Sequence, residues 1–228
     1  MNFSGNQIGL VLFYYIYISK KNKNILPENF IVIKSFVSTK LINLIAKQEN
    51  FQVIEVPTGF KNIAQEILKL EQNNLLSKFI FGFEESNGYL CHTHARDKDA
   101  VSASLLLCEA VSYFKNQNLN LINILENLYK KYGYFGEKTI SININSNTPK
   151  IPDIILSLNN NFKIVSVKNI YSSFVLELDN NHGEFIVRPS GTEPKIKIYA
   201  LLNQNSPELL NIKLQEFENK IYEITKST

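Results

Sequence analysis

The densest concentration of chemistry-bearing side chains is the run Arg188-Pro189-Ser190-Gly191-Thr192-Glu193-Pro194-Lys195. A connection between two strands needs only Pro or Gly to turn the chain. This one adds more. Arg188 supplies a planar fork suited to bidentate phosphate binding. Ser190 and Thr192 supply hydroxyl donors, and the Ser-Gly-Thr backbone is able to aim N–H groups inward as an anion nest. A phosphate loop explains this composition better than a plain turn.

Two further polar clusters each follow a predicted strand. Thr58-Gly59-Phe60-Lys61 comes after the run ending at Val56, and Glu84-Glu85-Ser86-Asn87-Gly88 after the run ending at Phe83. The first combines a Gly for close backbone approach with a hydroxyl and a point charge; the second pairs carboxylates with a hydroxyl, a set able to hold a polyol. Either alone reads as a solvated turn. Both fall at the carboxyl edge of one sheet, where open α/β sheets bind ligands, and that coincidence points to a site. Arg96-Asp97-Lys98-Asp99 stands at a predicted helix start. Asp97 or Asp99 as a helix cap accounts for it structurally, while Lys98 is the candidate proton shuttle or phosphate partner. His92 and His94 flank Thr93 beside Cys91, a weak metal signal that no carboxylate at conventional spacing completes. No metal ligand is assigned, and a loop or strand edge is expected there. Cys108 is expected in the core. HExxH, Walker and GxSxG motifs are all missing from the sequence.

These residues need elements to position them. The first half alternates strands near 30–34, 51–56 and 78–83 with helices near 41–45, 62–70 and 99–115, and closes with one at 121–131. Ser38 or Thr39 is the expected cap of the helix at 41–45, and Val101, Leu105, Cys108 and Val111 the expected inward face of the long helix. The rhythm implies crossover units in a mostly parallel sheet. The apolar run 8–18 (IGLVLFYYIYI) is shorter than the roughly 17–25 residues of a spanning helix and lacks a basic flank before it, so a buried helix is expected. The second half predicts strands at 139–145, 163–167, 173–179, 184–187 and 195–202. Thr148-Pro149 and Ser206-Pro207 serve as helix caps, giving a small α+β domain with an antiparallel sheet. The Asn-rich stretch near 146–149 reads as the compositional break.

Composition narrows the function classes. The 228 residues carry 24 Lys+Arg against 21 Asp+Glu, a net charge of +3 with the basic residues scattered, which argues against nucleic-acid binding. Two cysteines exclude a multi-disulfide scaffold and fit a reducing, cytoplasmic setting. The 29 Asn look like codon bias, so individual surface Asn residues carry no functional weight. No membrane partner is expected.

In order along the chain, these clusters resemble the α-D-phosphohexomutases, the phosphoglucomutase/phosphomannomutase family. Phe81-Gly82-Phe83-Glu84-Glu85-Ser86-Asn87-Gly88-Tyr89 looks like the family's sugar-recognition loop. Arg188 to Lys195, continuing as Ile196-Lys197-Ile198-Tyr199, looks like its phosphate loop. Pro57-Thr58-Gly59-Phe60-Lys61, Ala95-Arg96-Asp97-Lys98-Asp99-Ala100 and Ser4-Gly5-Asn6-Gln7-Ile8-Gly9 match further segments. The resemblance covers the third and fourth domains only, here 1–138 and 139–228. It implies that Thr58, Gly59, Glu84 and Ser86 bind the sugar, that Lys98 is an acid/base or phosphate contact, and that Arg188, Ser190, Gly191 and Thr192 hold the unreacting phosphate. The family works through a phosphoserine, Mg2+ and a hexose 1,6-bisphosphate, interconverting hexose 1- and 6-phosphates. Neither the serine segment nor the aspartate-rich metal loop occurs in these 228 residues, and Cys91-His92-Thr93-His94 departs from the family pattern. The expectation is a chain that binds hexose phosphate but is inactive alone. It either works with a separate chain bearing the phosphoserine and Mg2+ loop, or corresponds to part of one continuous enzyme. The alternatives are a non-catalytic phosphosugar-binding module and a decaying remnant.

Overall fold

Apolar runs flanked by Pro, Gly and Asn become strands, and the amphipathic stretches between them become helices. The computed structural model describes residues 2–145, 148–191 and 193–226. The chain forms two compact units, Met1–Tyr132 and Gly133–Thr228. The first contains α1 (Gly5–Asn22), β1 (Ile31–Ser35), α2 (Leu41–Glu49), β2 (Gln52–Val56), α3 (Phe60–Gln72), β3 (Phe79–Glu84), β4 (Gly88–Leu90), α4 (Ala100–Lys115) and α5 (Leu121–Tyr132). The sheet runs in the order β2-β1-β3-β4. β1 is parallel to both β2 and β3, and β4 folds back antiparallel on β3. All five residues of β1 are buried, as a central strand covered on both faces requires. Ile31 and Ile33 pack with Phe60, Ile63 and Ile67 of α3. On the other face α1 lies against β3, close enough that a Cβ on Gly9 would sit 2.8 Å from the Phe83 ring. The apolar run at 8–18 is thus the buried helix expected of it, and no helix among the described residues is long and apolar enough to cross a membrane.

The second unit contains β5 (Tyr134–Asn143), α6 (Ile151–Asn161), β6 (Ile164–Ile170), β7 (Ser173–Leu178), β8 (Gly183–Pro189), β9 (Lys195–Gln204) and α7 (Pro207–Lys226). Its sheet is fully antiparallel in the order β5-β9-β8-β7-β6. Alternate residues of β9, Ile196, Ile198, Ala200 and Leu202, join Ile154 and Leu158 of α6 and Leu210, Phe217 and Ile221 of α7 in one core. The turn into β8 depends on Gly183. Its φ is +122°, and a Cβ there would lie 2.1 Å from the Leu201 carbonyl oxygen.

Several expectations need correcting. β5 begins at Tyr134 and pairs with β9 along its whole length, so a division at 138/139 falls inside a strand; Ser146 and Asn147 lie outside the described residues. β4 has no counterpart in the sequence reading, because three residues are too few to show a periodicity. α2 is capped by neither expected side chain as a standard N-cap. Its N-cap is Lys40, with the Thr39 hydroxyl accepting from Leu41 N–H at 3.3 Å and Ser38 turned to Ser35. Thr148 does not cap α6 either; its hydroxyl accepts from Asn145 N–H at 2.7 Å, and Asp153 instead accepts from Lys150 N–H. Ser206 does cap α7, accepting from Leu209 N–H. The largest discrepancy is α4. Its expected inward face is exposed, Val101 at 81 % and Leu105 at 64 %, while Ala103, Ala110 and Phe114 are buried. Cys108 is exposed rather than in the core. The cause is a helix with two apolar stripes, of which the smaller-residued one lets α4 approach α1 closely.

Candidate functional site

Within the first unit, the carboxyl ends of β1, β2 and β3 bring the predicted clusters together. Gly59, at φ +105°, starts α3, and its N–H donates to Glu84 Oε1 at 2.6 Å. The other Glu84 oxygen, Oε2, lies 4.0 Å from Lys98 Nζ. Glu84 is 4 % exposed. Burial raises its carboxyl above the ordinary range, with Glu85 adding to the rise; the Gly59 N–H and Lys98 pull the other way. Gly88 makes room for the pair, since a Cβ there would meet Glu84 Oε2 and the Lys98 side chain at 3.2 Å each. Lys98 is half exposed, its side chain 53 % accessible. Ser86 is exposed on the turn and Thr58 half-buried beside Gly59. Glu84, Gly59 and Lys98 are therefore in one place. A carboxylate with one oxygen pinned and the other beside an ammonium is an acceptor for hydroxyl donors, flanked by a donor for anionic oxygens.

Beneath this edge lies a network that sequence reasoning passed over. Lys34 is fully buried, its Nζ 2.9 Å from Glu55 Oε1 and donating to the Ser38 carbonyl at 3.1 Å. Lys40 also pairs with Glu55. Burial opposes ionisation of Glu55, but Lys34 and Lys40 outweigh it and hold the carboxyl at about 2. Ser35 donates to Glu85 Oε2 at 2.9 Å, orienting the neighbour of Glu84. Gly5 closes the same turn, since a Cβ there would clash with the Glu85 carbonyl. Tyr89 donates to the Gly5 carbonyl. The one available signal was the Lys ending an otherwise apolar strand run.

Asp99 caps α4, accepting from Val101 and Ser102 N–H. His94 Nε2 bonds its second oxygen at 2.8 Å, and these contacts, the His94 bond foremost, hold the Asp99 carboxyl at about 2. The 91–94 segment is a loop after β4, with Cys91 buried and its thiol pushed up to about 12 by burial. Among the described residues no three His, Cys, Asp or Glu side chains gather in metal-binding geometry. The donor set therefore does not fit Mg2+, which wants several oxygens in octahedral order.

In the second unit, Arg188 lies near the C-terminal end of β8, at the start of the 188–195 loop. Arg188 lies 5.6 Å from the Tyr199 ring centroid and donates to the Tyr199 hydroxyl through Nη2 at 2.9 Å and Nε at 3.3 Å. The loop is closed by Ser190 N–H donating to the Lys195 carbonyl at 2.7 Å, with Lys195 paired to Glu193. Gly191 is exposed, with open space around the place a Cβ would occupy. Thr192 lies outside the described residues. The fork of Arg188 is thus oriented by the Tyr199 hydroxyl.

Comparison with known proteins identifies the family. Residues 4–132 match the phosphoglucomutase/phosphomannomutase alpha/beta/alpha domain III, and residues 156–217 match the family's C-terminal domain. The phosphoglucomutase of Staphylococcus haemolyticus is 31% identical, the alignment covering 96% of this chain and 43% of the relative. The phosphomannomutase of Mycoplasma genitalium is 34% identical over 91% of this chain and 38% of its own. Among solved structures, a phosphomannomutase-type protein of Thermus thermophilus superposes with a TM-score of 0.64 at 19% identity, covering 96% of this chain and 41% of that one. An Aspergillus fumigatus N-acetylphosphoglucosamine mutase in complex with glucose 1,6-bisphosphate gives 0.57 at 13% identity, over 98% and 42%. The chain spans about two-fifths of the length of the relatives it matches. With both family domains matched across most of its length, the chain belongs to the phosphoglucomutase/phosphomannomutase family, as its third and C-terminal domains.

Proposed function

We propose that this chain supplies the sugar- and phosphate-binding part of an intramolecular phosphotransferase that interconverts hexose 1-phosphate and hexose 6-phosphate. The observation that carries the reading is the buried Glu84 carboxylate, bonded to Gly59 and flanked by Lys98. In this reading Glu84 and Ser86 accept and donate hydrogen bonds to the sugar hydroxyls, with Thr58 and Gly59 lining the same site. Lys98 contacts a phosphate or moves a proton at a sugar oxygen. Arg188, Ser190, Gly191 and Thr192 hold the phosphate that is not reacting, so that binding energy from the remote end positions the reacting one. The phosphoryl donor is a serine that these 228 residues do not provide in a family-type segment, and Mg2+ belongs with that donor. Both would come from the rest of one longer polypeptide or from a separate chain. A hexose 1,6-bisphosphate is the expected activator, and a cytoplasmic setting suits two cysteines that are both free. A phosphosugar-binding module without turnover is the second reading.

Calorimetric titration of the 228-residue chain with glucose 6-phosphate, mannose 6-phosphate and free glucose tests this. Arg188→Ala should weaken both phosphosugars about 10–100-fold, the worth of a charge-assisted pair, and leave the feeble binding of free glucose unchanged. Equal losses for phosphorylated and free sugar would remove the phosphate-loop assignment. Turnover by the rigorously purified chain alone would refute the need for an outside donor. Native pull-down with intact-mass analysis then separates the two readings, a phosphoserine-bearing partner or a doubled mass supporting the enzyme.

A further inference from the structure

At the far end of the second unit from the phosphate loop, the core layer between the sheet and its helices opens into a cavity of about 250 Å³. On β8 the lining residue Phe185 stands three positions before Arg188, about 10 Å at strand rise, and no described residue of the 188–195 loop lines the cavity. Its floor is apolar, with Phe185 fully buried, Leu202 buried and the half-exposed Phe162 ring packed edge-on against Phe185 at 4.8 Å. Gln204 lines it as well. This residue continues the row Ile196, Ile198, Ala200 and Leu202 that faces the core. It is only 8 % exposed.

We propose that this cavity is a ligand site for a small uncharged heteroaromatic molecule of the purine type, a nucleobase or nucleoside. The Gln204 amide presents a donor and an acceptor side by side, the edge that pairs with an adenine-like ring, and Phe162 offers a face for stacking. The volume falls below the roughly 300–1,000 Å³ of drug-sized pockets, which limits the ligand to one ring system and a small substituent. The rim is charge-balanced. Lys163 pairs with Asp179 at 2.9 Å and Lys213 with Glu216 at 2.8 Å, and His182 stands 3.8 Å from Asp179, so no surplus cation waits for a polyphosphate. A free hexose fits poorly, because its hydroxyls would be stranded against Phe185 and Leu202.

The test is titration of the full 228-residue chain with adenosine, ATP and glucose, followed by amide NMR and calorimetry. Adenosine should bind saturably and shift the amides of Phe162, His182 and Gln204. Gln204→Leu, which fits the apolar row, and Phe162→Ala should each weaken it about tenfold or more with the circular dichroism spectrum unchanged. ATP should bind no more tightly than adenosine. Absence of saturable adenosine binding, unchanged affinity in folded Gln204→Leu, or preference for ATP or glucose would each overturn the proposal. The Arg188 titration stands or falls independently of it.

Discussion

Glu84 shows how a single residue trades stability for binding. Its carboxyl is held above the ordinary range mainly by burial, so above that range the fold bears the cost of a desolvated negative charge. The unfolded chain gives up this proton first as pH rises, and the group therefore lowers stability on the alkaline side and relieves it on the acid side. Glu84→Gln keeps an oxygen for the Gly59 N–H and removes the charge. The melting temperature at neutral pH should rise by roughly 2–4 °C, while hexose-phosphate affinity falls, because an amide is a weaker acceptor for sugar hydroxyls and leaves Lys98 without its partner. A variant that melts lower and binds sugar as well as the parent would show that Glu84 is structural. Lys34 is the opposite case. It is buried without any role in the reading above, and its ion pair with Glu55 belongs to the strand edge that carries the site.

At the scale of elements, the legible parts were those with one dominant pattern. The strand runs 30–34 and 78–83 are apolar without interruption, and α7 repeats Leu210, Leu214, Phe217, Ile221 and Ile224 along one face. Each emerged where the sequence put it. The polar clusters at strand ends were legible because topology alone gathers such ends at one edge. Side-chain partners across the fold were not: the Glu84–Gly59 bond spans 25 positions and leaves no periodic trace. α4 misled because Val101, Leu105, Cys108 and Val111 compete with a second stripe built on Ala103, Ala110 and Phe114. Periodicity weighs large residues more heavily, whereas close helix packing selects small ones. The observed orientation makes opposite predictions for the two stripes. Leu105→Lys should change stability by no more than about 0.5 kcal/mol. Ala110→Leu, which must fit where nothing is exposed, should cost about 1–3 kcal/mol. Denaturant titration reads both, and the reverse order would return α4 to the sequence-based orientation.

For the molecule as a whole, the two units have separate cores, one around Ile33, Phe60 and Ile67 and the other around Ile198, Phe185 and Phe217. Each is therefore expected to unfold as its own cooperative transition, and their acid responses should differ. In the first unit Glu55, paired with Lys34 and Lys40, and Glu49, bonded by Lys131, Tyr132 and Tyr17, are both held at about 2 against an ordinary 4.5. Carboxyls depressed in the fold contribute stability that is complete above 4.5 and disappears as pH falls toward 2. For the largely buried Glu55 that contribution is about 3 kcal/mol. In the second unit the one carboxyl pulled clearly downward among the described residues is Glu177, bonded to Lys168 and Ser166 on the sheet surface, where solvent screening leaves little to lose. Acidification from about pH 6 to about pH 3 should thus collapse the amide resonances of residues 2–132 first, while those of 133–228 stay dispersed. Glu55→Gln should bring the first unit's loss up to neutral pH and leave the second unit's melting unchanged. A single transition shared by both sets of resonances at every pH would mean that the units fold as one body, and the separate-core account would fail.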